Sequence, residues 1–233
     1  MEFPEDFNQL ELLNTHGHMI PRGASSLWTA SQEEEEDEEE EAPEGGYSEE
    51  WYLQREDKLQ DKPAELLLWA AENNRLSTVH RLLLTDPSLV HCSDEDGYTP
   101  LHRAAYSGHV EMVSSLVAAG SEIDPRTVDG WTPLHSACRW SRVAVASRLL
   151  QHGADLNAQT NGGLTALHLA ASHTSQTKTD SRQTLELLLS QRHLKAGLLS
   201  NSNETASELA RRSGPFHFLF EMVEDCTSVL PAS

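Results

Sequence analysis

The stretch that decides the fold is Asp96-Gly97-Tyr98-Thr99-Pro100-Leu101-His102-Arg103-Ala104-Ala105. Its central motif, Gly-x-Thr-Pro-Leu-His, returns at 130–135 and, with alanine in place of proline, at 163–168. The motif histidine of each copy lies 33 residues from the next one. A constant period of this length is typical of a chain built from stacked structural repeats.

Each copy of the motif also predicts the beginning of a short helix. Thr99 takes the N-cap position, where a hydroxyl satisfies an unpaired backbone N–H, and Pro100 takes the first helical position. Gly108 predicts the end of this helix, and apolar residues then recur with helical spacing up to Gly120, which suits the C′ position. The predicted unit is helix, turn, helix and loop. The equivalent positions in the later copies are Thr132, Pro133 and Thr165.

Thr-Pro-Leu-His-x-Ala repeated every 33 residues resembles the ankyrin repeat, and this resemblance implies an all-α solenoid. The first and last repeats are degenerate, as terminal repeats that cover an open apolar face usually are. In the fourth repeat, the polar segment 172–183 is expected to be a loop inserted between two helices. We expect about four repeats and a partial capping repeat, at about residues 63–95, 96–128, 129–161, 162–200 and 203–224.

The motif histidines have a structural role in proteins of this family. There the side chain bonds the threonine hydroxyl and neighbouring backbone, and so joins adjacent repeats. The resemblance therefore implies this role for His102, His135 and His168.

Charge is unevenly distributed along the chain, whose formal net charge is −20. Residues 1–62 contain 19 acidic and 4 basic residues, whereas the remainder contains 18 and 13. The nine acidic residues Glu33–Glu41 predict a disordered tail, because like charges repel and little apolar area is available for a core. Within 1–62, Trp51 and its apolar neighbours favour a short helix at about 48–60. We expect residues 225–233 to be a C-terminal tail.

Several functional classes are disfavoured by the sequence. So acidic a chain should repel phosphates, and we expect no direct nucleic-acid contact. Three cysteines without CxxC spacing favour neither a disulfide framework nor a zinc module, and the longest apolar run, Leu66–Ala71, is too short to cross a bilayer. No nucleotide-binding or hydrolase motif is present. We therefore expect no catalytic residue, no metal, no cofactor and no membrane partner.

Positions that the repeat does not prescribe are the candidates for binding. In this fold, the residue after each loop glycine and the residues ending each inner helix face a concave groove. Tyrosine, tryptophan and arginine dominate binding energy at protein interfaces. The alternative is that Trp140 or Tyr106 only covers a gap between helices. The predicted partner-binding residues are Tyr98, Arg103, Tyr106, Trp131, Arg139, Trp140, Leu164 and His173.

Two residues are candidates for modification. Ser31 is followed by Gln32 and acidic residues, a context that suits an acid-directed kinase. Asn157 matches the position where ankyrin repeats are hydroxylated by an asparaginyl hydroxylase. The alternative for Asn157, which we favour, is a turn asparagine that bonds its own backbone.

The favoured function is a monomeric scaffold that binds a partner protein through the concave groove. A closer similarity to one small member of the ankyrin-repeat family implies a nuclear protein, also present in the cytoplasm, that raises gene expression through protein partners. This similarity lies in the acidic leader, Trp51-Tyr52, the interrupted fourth repeat and the ending Glu204-Thr205-Ala206.

Two further hypotheses concern the acidic run Glu33–Glu41. In the first, the protein is chaperone-like and the run shields basic clients such as histones or ribosomal proteins. In the second, the whole acidic tail, residues 1–46, folds back over the middle repeats, which are locally basic. The basic residues there are Arg103, Arg126, Arg139 and Arg142.

Overall fold

The structure, a computed structural model, describes residues 47–172, 178–213 and 215–221. Within these ranges the regular structure is helical, apart from a single bridge between Gln159 and Thr165. The acidic run Glu33–Glu41, the candidate Ser31 and the C-terminal segment 225–233 lie outside the described residues. The helices are α1 Glu49–Lys58, α2 Pro63–Glu72, α3 Leu76–Thr85, α4 Pro100–Ser107, α5 Val110–Ala118, α6 Pro133–Arg139, α7 Val143–Gln151, α8 Ala166–Ser172, α9 Lys178–Leu189 and α10 Ala206–Ser213.

Helix α1 belongs to a unit of its own, because contacts divide the chain between Lys62 and Pro63. Ser48 caps the helix by accepting a hydrogen bond from the Trp51 backbone N–H at 3.2 Å. Acidic residues occupy its first turn and basic residues its last, as the helix dipole favours. A helix is therefore present inside the segment 48–60 where the sequence predicts one.

The repeat unit begins at α2 and has two layers of helices. The first helices of successive repeats, α2, α4, α6, α8 and α10, pack against one another in chain order. The second helices form the outer layer, in which α7 packs against both α5 and α9. Ala104 and Ala105 on α4 are completely buried, and their small side chains let the neighbouring inner helices approach closely. The predicted all-α ankyrin solenoid is confirmed.

The fourth repeat differs from the prediction of a loop over residues 172–183, because α9 begins at Lys178. The polar residues of its first turns lie inside the repeat. Ser181 and Thr184 are buried, the Ser181 hydroxyl lies 3.2 Å from that of Ser141, and the Thr184 hydroxyl donates to the Asp180 carbonyl at 2.8 Å. Small hydroxyl residues satisfied in this way fit a buried helical face, although their polarity suggests a loop.

The end of the stack is closed by apolar side chains. Leu219 and Phe220 are buried there, whereas Phe218 is exposed. The inner helix of this partial repeat, α10, packs against α8 of the fourth repeat. One turn of helix at 218–221 therefore places Phe220 in the apolar interior.

Backbone hydrogen bonds join the hairpin turns that precede the inner helices. The tip residue of each turn donates its N–H to the turn before it. The three bonds run from Val128 to Asp96 at 2.9 Å, from Asn161 to Asp129 at 3.0 Å and from Asn201 to Gly162 at 3.0 Å. Each turn is therefore held by the repeat that precedes it.

The motif histidines form a second connection between repeats. His102 Nδ1 accepts from the Thr99 backbone N–H at 3.1 Å and from the Thr99 hydroxyl at 3.0 Å. On the other side of the ring, Nε2 lies 3.1 Å from the Trp131 carbonyl oxygen. Because a carbonyl only accepts, Nε2 carries a proton, and because Nδ1 accepts from a backbone N–H it carries none, so the ring is neutral. The repeating bonds are Thr132–His135 at 2.8 Å, His135–Leu164 at 3.1 Å, Thr165–His168 at 2.7 Å and His168–Glu204 at 3.1 Å.

We expect these buried histidines to make stability depend on pH. Desolvation by burial lowers the pKa of His102 and His135 to about 4, although bonds to backbone carbonyls oppose it. A histidine in the unfolded chain titrates near pH 6.5, so the unfolded state binds more protons between these two values. Stability is therefore complete above about pH 6.5 and falls as the pH decreases towards 4.

Urea unfolding at about pH 7.5 and about pH 5 measures this effect, with an expected loss on the order of 2 kcal/mol for each of the two histidines. The variant His135→Gln should be less stable at neutral pH but lose less stability on acidification, because one titrating group is gone. A free energy of unfolding that stays constant over this range would contradict the expectation.

Two glycines allow a matched test of how tightly the turns are joined. Gly130 and Gly153 both have left-handed backbone, with φ of 77° and 86°. A Cβ on Gly130 would lie 2.9 Å from the Asn161 backbone nitrogen, whereas a Cβ on Gly153 would meet nothing within 4 Å. Gly153→Ala should therefore lower the free energy of unfolding by about 1 kcal/mol, because of backbone strain alone.

Gly130→Ala should cost about 2–4 kcal/mol, because overpacking against the neighbouring turn adds to the same strain. Denaturant unfolding of the two variants beside the parent chain measures the difference. If Gly130→Ala and Gly153→Ala lowered the free energy of unfolding equally, the close contact between Gly130 and the turn at Asn161 would contribute nothing to stability.

Candidate protein-binding surface

The inner helices and the hairpin turns before them form one side of the stack, which we call the inner face. Curvature makes this side of a repeat solenoid an extended binding surface. The residues predicted to bind a partner are distributed over it, at the start of the motif and at the end of the inner helices. The structure describes seven of the eight, namely Tyr98, Arg103, Tyr106, Trp131, Arg139, Trp140 and Leu164, and His173 lies outside the described ranges.

The structure corrects the expectation that Trp131 and Leu164 face the groove, because they are only 8% and 2% exposed. Each follows a loop glycine and donates its N–H to a threonine hydroxyl four residues earlier, at 3.0 Å from Trp131 and 3.2 Å from Leu164. Their carbonyls accept the bonds from His102 and His135 of the preceding repeats. Because the N–H and the carbonyl of each residue are both hydrogen-bonded, its side chain is directed into the junction between repeats.

Arg103 is partly exposed, but its charge is paired within the stack. Its guanidinium binds Asp94 at 2.6 Å and Glu72 at 3.3 Å, and it lies 5.6 Å from the centre of the Tyr98 ring. Burial works to lower the pKa of Arg103, but the two carboxylates outweigh it and raise that pKa above its ordinary value. Arg103 therefore fastens the second repeat to the first and has little charge to offer a partner.

A different arrangement lies at the ends of α4 and α6. The Tyr106 and Trp140 rings meet edge to face with centroids 5.1 Å apart, and the Arg139 guanidinium lies 5.7 Å from the Trp140 ring. Arg142, on the turn after α6, donates from Nε to the Tyr106 carbonyl at 2.9 Å. We call Tyr106, Arg139, Trp140 and Arg142 the Arg139 cluster. It joins the second repeat to the third.

Arg139 is buried, which the sequence did not predict, and its charge is not neutralised locally. It is 7% exposed, and within the described ranges no carboxylate lies at ion-pair distance from it. Desolvation lowers the pKa of Arg139, in contrast to Arg103, whose pKa the carboxylates raise. The chemistry that this cluster offers is a cation beside two half-buried aromatic rings.

Arg142 was not among the predicted binding residues. Its position follows from Ser141, which has left-handed backbone with φ of 54° and turns the chain at the end of α6. The side chain then lies over Gly108, where a Cβ would come within 2.9 Å of Arg142 Cδ. In the sequence, Gly108 is the signal that could have predicted this contact, since a glycine at a helix end also permits close approach of another repeat.

Asn157, the candidate for hydroxylation, uses both ends of its side-chain amide. Nδ2 donates to the His193 carbonyl at 3.0 Å, and Oδ1 accepts from the Lys195 N–H at 2.8 Å. The side chain thus bonds the loop of the next repeat, and not its own backbone as the favoured alternative supposes. Hydroxylation of Asn157 stays an untested hypothesis.

Across the part of the chain that the structure describes, no group of three or more histidine, cysteine, aspartate or glutamate side chains is placed to hold a metal. None of the helices described there has both the length and the apolar character to cross a bilayer. Cys138, three residues after His135, is completely buried, and desolvation raises the pKa of its thiol.

Comparison with known proteins agrees with this architecture. A family model for ankyrin repeats in three copies matches residues 67–160 and 121–198. The chain is 58% identical to ankyrin repeat domain-containing protein 49 of Homo sapiens, over 100% of this chain and 93% of that protein. The protein of that name from Bos taurus is also 58% identical over the same shares, and that from Drosophila melanogaster is 51% identical over 74% of this chain and 79% of that protein. The chain therefore belongs to the ankyrin-repeat family.

Proposed function

We propose that the protein is a non-enzymatic, monomeric scaffold that binds a partner protein through its inner face. The observation that carries this proposal is the pair of half-buried rings, Tyr106 and Trp140, that adjoins a charge-bearing arginine on this face. The repeat motif prescribes neither ring. Such side chains supply most of the binding energy at protein interfaces.

The structural roles of the other predicted residues support the proposal. The motif residues are occupied in joining repeats, as the bonds of His102 and His135 illustrate. Arg103 is paired with Glu72 and Asp94. The binding surface is therefore concentrated at the Arg139 cluster rather than spread evenly over the aligned positions.

The proposed place of action is the nucleus, with the cytoplasm as a second location, and the proposed effect is to raise gene expression through protein partners. This rests on the similarity to one small member of the ankyrin-repeat family in the acidic leader, Trp51-Tyr52, the interrupted fourth repeat and the ending Glu204-Thr205-Ala206. Imaging of the full-length tagged chain checks the location, and exclusion from the nucleus would contradict it.

The second candidate is a chaperone-like protein that shields basic clients through Glu33–Glu41. The uneven charge favours it, since residues 1–62 hold 19 of the acidic residues and only 4 basic ones. Binding of this kind should weaken steeply with added salt and should not depend on the aromatic rings of the inner face.

Proximity labelling in cells distinguishes the two candidates. The full-length chain is compared with the double variant Tyr106→Ala/Trp140→Ala and with Leu84→Ala, whose side chain is 85% exposed on the outer helix α3. If the inner face binds the partner, the labelling of one set of proteins should decrease about tenfold with the double variant, as expected when a binding hot spot is lost. It should be unchanged with Leu84→Ala.

A variant with Glu33–Glu41 replaced by glutamine completes the comparison. Labelling that disappears with this variant but survives the double aromatic variant would support the chaperone-like function and contradict binding by the inner face. Circular dichroism and thermal unfolding verify that the double variant remains folded. Trp140→Phe, which keeps an aromatic ring, should retain most of the labelling.

A further inference from the structure

The Arg139 side chain is unusual for a charged group in this protein. In the described part of the chain, Arg139 is the one lysine, arginine, aspartate or glutamate that falls among the buried residues. Burial of a cation is costly unless a carboxylate or several acceptors compensate it. Arg103 has two carboxylates for this purpose, whereas Arg139 has none among the described residues.

The polar end of Arg139 can still be reached from solution. Two side-chain atoms in the described ranges are completely buried without a hydrogen-bond partner, Arg103 Nε and Asp124 Oδ1. The guanidinium nitrogens of Arg139 are not among them, although no acceptor on a described residue binds them. Its aliphatic part is therefore enclosed by the repeats while its donors retain contact with solvent, so that a ligand can approach them.

The surroundings of Arg139 hold it in place for an incoming group. Its guanidinium lies 5.7 Å from the Trp140 ring, which in turn meets the Tyr106 ring. Arg142 is fastened to the Tyr106 carbonyl through Nε, and it too has no carboxylate within ion-pair distance in the described ranges. A buried stem loses little further conformational entropy when a ligand binds.

We infer that the Arg139 cluster binds the carboxylate of an aspartate or glutamate in a short segment of a partner protein, with an apolar residue beside it against Trp140. This deepens the proposed function and rests on it. The planar guanidinium binds a carboxylate through two parallel N–H bonds, and the ring next to it offers apolar area. A carboxylate of the partner would pair with the charge of Arg139, as Glu72 and Asp94 pair with that of Arg103.

A phosphorylated segment fits the same cluster less well. Proteins that recognise phosphate groups surround the dianion with several cations. Here Arg142 already uses Nε for the Tyr106 carbonyl, and Arg103 is paired with Asp94 and Glu72. Of the three arginines, only Arg139 has no hydrogen bond or ion pair to a described residue, and its one charge matches that of a carboxylate.

Selection from a phage-displayed library of random peptides tests the inference with the full-length chain. Selected peptides should share an aspartate or glutamate at a fixed place next to an apolar residue. A synthetic peptide of this kind should bind the parent chain and lose about tenfold or more in affinity with Arg139→Gln, because a desolvated charge pair is broken. Arg148→Gln, which removes the same charge from the outer helix α7, should leave the affinity unchanged.

The peptide itself provides a measurement that does not depend on the folding of Arg139→Gln. Replacing its conserved acid by the corresponding amide should weaken binding to the parent chain by about the same factor. With both changes combined, the loss should be smaller than the two single losses multiplied, because both remove one interaction.

Three results would overturn the inference. In the first, selected peptides lack a fixed acid or bind Arg139→Gln as well as the parent chain; the proposed function would survive if they still require Tyr106 and Trp140. In the second, no peptide is enriched. In the third, a selected peptide gains affinity when Glu33–Glu41 is changed to glutamine, which would make the chain's own acidic run, and not a partner, the occupant of the cluster.

Discussion

The hydrogen bond from a motif histidine to a backbone carbonyl of the next repeat is the interaction on which the rest of the structure depends. His102 caps its own helix through Nδ1 and reaches the Trp131 carbonyl through Nε2, and His135 does the same for the Leu164 carbonyl. One histidine ring therefore caps the inner helix of its own repeat and bonds the backbone of the next repeat. Both functions require the neutral tautomer with its proton on Nε2. This requirement links the protonation state of the chain to the integrity of the stack.

The same bonds decide which side chains are available for binding. Because the Trp131 and Leu164 carbonyls are acceptors for the preceding histidines, the side chains that follow each loop glycine turn into the junction. The ends of the inner helices have no such constraint. There the stack leaves two rings and two arginines that the repeat does not specify. These helix ends are therefore where we propose that the partner protein binds.

Electrostatics divides the stack into a compensated and an uncompensated part. At the first junction, Arg103 lies between Asp94 and Glu72, and the three charges fasten the repeats together. At the second junction, Arg139 is more deeply buried than Arg103 but lacks a carboxylate among the described residues. In a chain with a formal net charge of −20, this cation, which has no carboxylate partner in the described ranges, is where we infer that an external anion binds.

The sequence by itself determined the repeat architecture, because the period of 33 residues, the Thr-His pair and the glycines at turns are local features that act within each repeat. It also indicated the end of the inner helices as a binding position. Tertiary structure decided which of the aligned residues remain at the surface. Trp131 and Tyr98 occupy equivalent positions, yet Trp131 is buried and Tyr98 is half-buried. Ser181 belongs to the segment predicted as a loop, but it lies on α9 and its side chain is buried. The burial of a side chain and the pairing of its charge depend on residues of the neighbouring repeat. The sequence pattern within one repeat does not specify which of those residues come into contact.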